Sequence, residues 1–171
     1  MGVHHFELTL IPKLFLDHNP DFKKGSWSEE QFDQIEDPNT GCWANAQPTG
    51  IILERIRNIL PINRSWDSVE EFTSEHEWGS DIRIWKEPNG AVRSITFRYS
   101  PAADNSPVLM QFIDIAQSAD CMLFEIESRH VIKPEKQQVL LSLKKSSAVR
   151  FLSDPIGEIT AYSEKIKEER S

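Results

Sequence analysis

Lysine and arginine are missing from two long stretches of the chain. From Gly25 to Glu54, and again from Trp66 to Asp81, no cationic side chain occurs. The first stretch holds Glu29, Glu30, Asp33, Glu36 and Asp37, and the second Asp67, Glu70, Glu71, Glu75, Glu77 and Asp81. Over the whole chain 27 acids face 19 lysines and arginines, a formal charge of −8. A surface of that sign is repelled by nucleic acid and by anionic membranes, so neither is expected as a partner, and a basic protein is the easiest to capture.

Cysteine is almost absent. Cys42 and Cys121 are enough for one disulfide, which nothing in the sequence indicates, and two reduced thiols in a cytoplasmic protein are expected. Glycine is sparse too. Gly79 and Gly157 stand alone, so no loop cradles a phosphate. There is no Gly-x-Ser-x-Gly turn for a nucleophile. The zinc-protease pattern begins at His76-Glu77 but meets Trp78-Gly79-Ser80 where a second histidine is needed. His4 and His5 are neighbours on an expected strand and point to opposite faces, so they do not share an ion. No Asp-rich twelve-residue loop offers calcium ligands. The reading therefore expects neither metal nor cofactor and leaves enzymatic activity open, with catalysis the less favoured outcome.

No run approaches the roughly 20 apolar residues of a membrane span. The opening MGVHHFELTL has neither a basic region nor a long apolar stretch, and Phe6 stands where myristoylation expects Ser or Thr. No repeat of fixed period and no low-complexity tract is present.

What is present fits one folded unit. With 171 residues and 39% hydrophobic composition, the chain can bury a core without staples. Phe6, Leu8 and Leu10 alternate with polar neighbours and predict a strand over His4–Leu10. A polar segment follows at 13–47, with one helix expected from the capping-box spacing of Ser26-Trp27-Ser28-Glu29 and from Phe32 and Ile35 on one face. TGIILERIRNIL predicts a helix over 49–60, stopped by Pro61. A short helix over 67–75 is expected from the spacing of Trp66, Val69 and Phe72. DIRIWK and VRSITFRY form a hairpin around Glu87-Pro88-Asn89-Gly90. Ser106-Pro107 opens a helix to about 118, and CMLFEIE is a strand. Two helices are expected in 131–171, the second on Ile156, Ile159, Tyr162 and Ile166. This order predicts an α+β domain spanning 1–171. Its form is a ferredoxin-like βαββαβ antiparallel sheet, with an insertion at 13–47 and a helical C-terminal extension.

Strand alternation sorts the side chains by face. If Phe6, Leu8, Ile82, Ile84, Ile95, Phe97, Met122 and Phe124 meet the helices, the opposite face carries His5, Glu7, Thr9, Arg83, Trp85, Ser94, Thr96, Arg98, Cys121, Leu123 and Glu125. His5, Glu7, Arg83, Trp85, Arg98 and Glu125 are the candidate ligand contacts there. The same pattern also suits a solvated, ion-paired sheet surface.

The favoured reading is a small acidic protein-binding domain, of the immunity or inhibitor type, neutralising a basic partner such as a toxin. The expected contact set is Glu71, Glu75, Glu77, Trp78, Asp81 and Trp66, with tryptophan as anchor and carboxylates steering approach. The alternative is a small-molecule-binding protein or enzyme using the open sheet face. The sequence does not fix the oligomeric state.

Overall fold

The computed structural model describes residues 5–76, 79–102, 106–153 and 155–170, with backbone alone for 151, 155–159, 161 and 162. Strand β1 (Phe6–Pro12) runs into a short helix α1 (Lys13–His18), a 3₁₀ turn (Pro20–Lys23) and helix α2 (Glu29–Gln34). Helix α3 (Gly50–Arg57) precedes β2 (Ile62–Asn63), β3 (Val69–Thr73), β4 (Asp81–Lys86) and β5 (Val92–Tyr99). Then come α4 (Ser106–Ser118), β6 (Cys121–Glu125) and β7 (His130–Ile132). Helices α5 (Lys136–Lys145), α6 (Ser147–Ser153) and α7 (Pro155–Glu169) close the chain.

The strands form one antiparallel sheet of seven, in the order β2-β3-β4-β5-β1-β6-β7. The α+β class is therefore as expected, but the strand order is not that of a ferredoxin-like sheet. Three short strands have been added at its two edges. One of them, β3, stands where the helix was expected over 67–75. Val69 and Glu71 point to one face and Glu70 and Phe72 to the other, a period of two that the spacing of Val69 and Phe72 had disguised. Trp66 and Val69 exchange backbone hydrogen bonds of 2.9 and 2.7 Å around Asp67, which sits at φ +35. An aspartate tolerates that left-handed region better than most residues, and the tight turn it makes is a hairpin device. The C-terminal segment holds three helices and β7 where two helices were expected. Of the expected apolar face of α7, the side chains of Ile156, Ile159 and Tyr162 lie outside the described residues.

The predicted hairpin is present. Gly90 takes φ +87 and donates to Glu87 O at 2.8 Å, closing the turn between β4 and β5. Thr49 caps α3 by accepting from Ile52 N at 3.3 Å, and Ile52 and Ile56 then face inward. Helix α4 buries Leu109, Phe112, Ile113, Ile115 and Ala116. Under these helices lie Leu8, Leu10, Ile82, Ile84, Ile95 and Phe97, none with any exposed surface. Phe97 meets Phe112 at 4.6 Å between ring centres. Each such side chain contributes about 1.5–3 kcal/mol by leaving water, so this face is where the sheet gains its stability.

One face assignment is reversed in β6. Leu8 pairs with Glu125, Leu10 with Leu123 and Pro12 with Cys121. Cross-strand partners share a face, so Cys121, Leu123 and Glu125 lie with the helices, and Met122 and Phe124 lie opposite. Alternation fixes two sets of residues but not which set faces inward. In CMLFE both sets are mostly apolar, so the pattern carried no phase.

Phe124 explains what the 13–47 segment does. Trp27 stacks on it at 4.1 Å and Phe32 at 5.6 Å, while Phe22 meets the edge of Trp27 at 5.0 Å. The insertion thus covers the β1–β6 half of the second sheet face. The β3–β4–β5 half carries polar side chains instead.

Candidate functional site

The uncovered half of the sheet is an ion-paired ladder. Register sets Glu71 opposite Arg83, Asp81 opposite Arg98, and Arg98 opposite Glu7. Arg83 Nε lies 2.8 Å from Glu71 Oε1 and 3.5 Å from Asp81 Oδ1. Arg98 holds Asp81 through Nε at 2.8 Å and Nη2 at 2.5 Å. The Trp66 ring lies 5.9 Å from the Arg83 guanidinium carbon and is 45% exposed. Trp85 does the same for Arg93 at 6.0 Å. On the helix face, Glu70 takes Arg57 in a two-point contact of 2.8 and 2.9 Å and Lys86 at 2.7 Å. The hydrogen bond from Arg57 holds the Glu70 carboxyl below its ordinary range.

The expected contact set therefore separates. Glu71 and Asp81 are buried and paired with arginines. Glu75 is exposed, as is Trp66. Glu77 and Trp78 lie outside the described residues. The stretch TSEHEWGSD is the connection between two paired strands, closed by Ser74 N donating to Ser80 O at 3.0 Å. A side chain on Gly79 would meet Ser74 Oγ at 1.6 Å, so the loop requires glycine there. His5 Nε2 lies 3.2 Å from Gly79 O. Among the described residues no group of three His, Cys, Asp or Glu is arranged to hold a metal ion.

Of the candidate ligand contacts, His5, Glu7, Arg83, Trp85 and Arg98 belong to this half of the molecule, and Glu125 does not. Its carboxylate accepts from Glu127 N at 2.9 Å and Ser128 N at 2.8 Å, shaping the turn before β7. Glu7 is the odd member of the ladder. Burial pushes its carboxyl above the ordinary range, the Arg98 charge opposes that, and Asp81 adds to it. A carboxyl whose folded pKa is raised binds a proton more readily folded than unfolded. Stability from this group is thus greatest at low pH and is lost as pH rises from the unfolded pKa through the folded one. Glu7→Gln should raise the melting temperature at pH 7 relative to the wild type and leave it unchanged near pH 3. Melts at the two values check this, and a lower melting temperature at pH 7 would contradict it.

The carboxylates of the other cation-free stretch are differently placed. Ser28 caps α2, its hydroxyl accepting from Gln31 N at 3.1 Å while Gln31 Oε1 accepts from Ser28 N at 3.0 Å. Phe32 and Ile35 turn inward, and Glu29, Glu30 and Asp33 outward to solvent. Asp37 accepts from Asn39 N and Thr40 N at 2.8 and 2.9 Å, which holds its carboxyl below the ordinary range. Among the described residues, Glu29, Glu30, Asp33 and Glu36 meet no cation. Sequence reasoning treated this block as secondary support. The signal that could have ranked it first was the absence of any basic residue within helical reach of α2, whereas Arg83, Lys86 and Arg98 stand only one strand away from the other block.

Both thiols are free and buried. Burial raises that of Cys42 far above the ordinary range and that of Cys121 to about 12. The thiolate is the reactive species, so neither should react with a disulfide reagent in the native protein at pH 8, and both should react in denaturant. Rapid native labelling of either would contradict the burial. No helix among the described residues is long and apolar enough to cross a membrane. Compared with family models, with curated proteins and with solved structures, the chain matches none.

Proposed function

We propose that the chain is a small acidic protein-binding domain that neutralises a basic partner, in the manner of an immunity or inhibitor protein opposing a toxin in the cytoplasm. One observation carries the reading. The carboxylates of β3 and β4 are matched internally by Arg57, Arg83, Lys86 and Arg98, whereas Glu29, Glu30 and Asp33 of α2, exposed to solvent, and part-exposed Glu36 just beyond it are unmatched. Unmatched like charges repel one another in the free protein, and a cationic surface relieves that repulsion on binding. The contact set moves accordingly from Glu71 and Asp81 to α2, with exposed Glu75 and Trp66 elsewhere on the surface. We also read the core as an elaborated split βαβ arrangement. The central strands β4-β5-β1-β6, with α3 and α4 against one another, support this.

The test is capture from host lysate by the wild type and by Glu29→Gln/Glu30→Gln/Asp33→Asn/Glu36→Gln. Asp37 is kept because it shapes its own turn. The wild type should retain a stoichiometric basic protein that the variant loses. Retention of a basic protein by both, or of none by either, contradicts the reading.

The alternative, a ligand-binding or catalytic sheet face, has Glu7 in its favour, since a part-buried carboxyl pushed above its ordinary range suits proton exchange. Against it, Arg83 and Arg98 are already held by carboxylates and offer no free cation to an anionic ligand. A small molecule retained on native mass spectrometry and lost in Glu7→Gln would favour this alternative.

A further inference from the structure

Strand β7 ends the sheet, so the outward-pointing half of its backbone N–H and C=O groups has no ladder partner. Among the described residues, no backbone group from another segment pairs with His130, Val131 or Ile132 along that edge. Beside the edge lies a groove of about 650 Å³ between β7 and α5. His130, Val131 and Ile132 all line it. Successive strand residues point to opposite faces, so a groove touched by all three runs along the strand edge and not over one face alone. Its α5 wall presents Leu141, which is 55% exposed, together with Ser142 and Lys145.

The charge here is the reverse of the molecule's. Lys133, Lys136, Lys144 and Lys145 are all exposed, and none meets a carboxylate among the described residues. Glu127, which also lines the groove, is taken up by Ser147 N at 3.0 Å and Arg150 at 3.3 Å. A free strand edge, exposed Leu141 and unmatched Lys145 within the groove, with exposed Lys133, Lys136 and Lys144 on the neighbouring β7 end and α5, describe a recognition site for a particular kind of chain.

We propose that the groove between β7 and α5 receives an extended acidic peptide segment of a partner protein, which adds to the β7 edge as a further strand. Its backbone continues the ladder about 4.8 Å from β7. Every second side chain then points toward Leu141 and Ile132, where an apolar residue fits, and carboxylates reach Lys145 and Lys133. Backbone pairing gives affinity, and the alternate pockets give selectivity. This surface lies beside the start of α2, since Trp27 N donates to Arg129 O at 2.9 Å, but its lysines are opposite in charge, so the proposal does not depend on the basic-partner reading.

The probe is a blocked heptapeptide alternating glutamate and valine, titrated into the full chain with backbone amide resonances observed. Saturable shifts should centre on His130, Val131 and Ile132. A counterpart alternating lysine and valine should bind on the order of tenfold more weakly or not at all. The same loss should follow N-methylation of every second residue of the acidic peptide, which removes its ladder donors, and Lys145→Glu in the protein. Lys145 is exposed, so that variant should melt as the wild type does. The α2 variant should bind the peptide at least as tightly as the wild type does. Absence of shifts at millimolar peptide, equal binding of the acidic and basic peptides, or indifference to Lys145→Glu each overturns the proposal. So does concentration-dependent self-association that shifts the same three amides without peptide, which assigns the edge to a second copy of the chain.

Discussion

Trp27→Ala should lower the stability of the chain by about 4 kcal/mol, the range for deleting a fully packed tryptophan. At this chain length that corresponds to a fall in melting temperature of roughly 8–16 °C. Trp27 is 2% exposed, stacks on Phe124, and is met edge-on by Phe22. Its indole N–H donates to Phe22 O at 2.7 Å. It thereby ties the insertion to itself and to the sheet in one place. Alanine leaves a cavity over Phe124 and frees Phe22 O of its partner. Trp27→Phe keeps a ring over Phe124 and loses the hydrogen bond, so it should cost less, with about 1 kcal/mol from the missing bond. Thermal and urea melts of the two variants measure the difference. If Trp27→Ala melted like the wild type, the insertion would not be packed as described.

Asp81→Ala should cost about 3 kcal/mol, near the lower end for removing one partner of a buried ion pair. The lower end applies because Arg83 and Arg98 keep 26% and 27% of their side-chain surface exposed and recover some solvation. The melting temperature should fall by roughly 6–12 °C. Asp81 itself is only 7% exposed and is shared by both arginines, so its loss leaves Arg98 facing Glu7 alone. A double-mutant cycle with Arg98→Ala isolates the coupling and should return a substantial fraction of the single-mutant loss. An unchanged melting temperature in Asp81→Ala would make the ladder an ordinary solvated surface and restore Asp81 as a candidate partner contact.

The elements with strong local chemistry were legible in the sequence. Pro88-Asn89-Gly90 announced the β4–β5 hairpin, the apolar spacing of TGIILERIRNIL announced α3, Ser106-Pro107 announced α4, and alternation announced β1. Elements defined by long-range pairing were not. Val69-Glu70-Glu71-Phe72 satisfies a helical spacing and a strand spacing at once, and only the docking of β3 on β4 decides between them. His130–Ile132 is too short to carry a period. The candidate site shows the same division. The two acidic blocks look alike as composition, and what separates them is the cross-strand placement of Arg83 and Arg98 and the helix-to-strand placement of Arg57. Those are properties of register and packing, which counting charges along the chain does not supply. Trp27 illustrates the converse, since nothing local distinguishes it from Trp66 or Trp43, yet it is the ring that seals half of the sheet.

The division of the carboxylates into matched and unmatched sets is tested most directly by association kinetics with the captured basic partner. The measurement is the stopped-flow association rate as a function of ionic strength, for the wild type, the fourfold α2 variant and Glu71→Gln. Neutralising four unmatched charges should slow association by roughly tenfold or more at low salt and flatten its salt dependence. Glu71→Gln should leave rate and salt dependence close to wild type while lowering stability. Association that is slowed by Glu71→Gln and unaffected by the α2 variant would contradict the account, and would return the partner surface to the sheet.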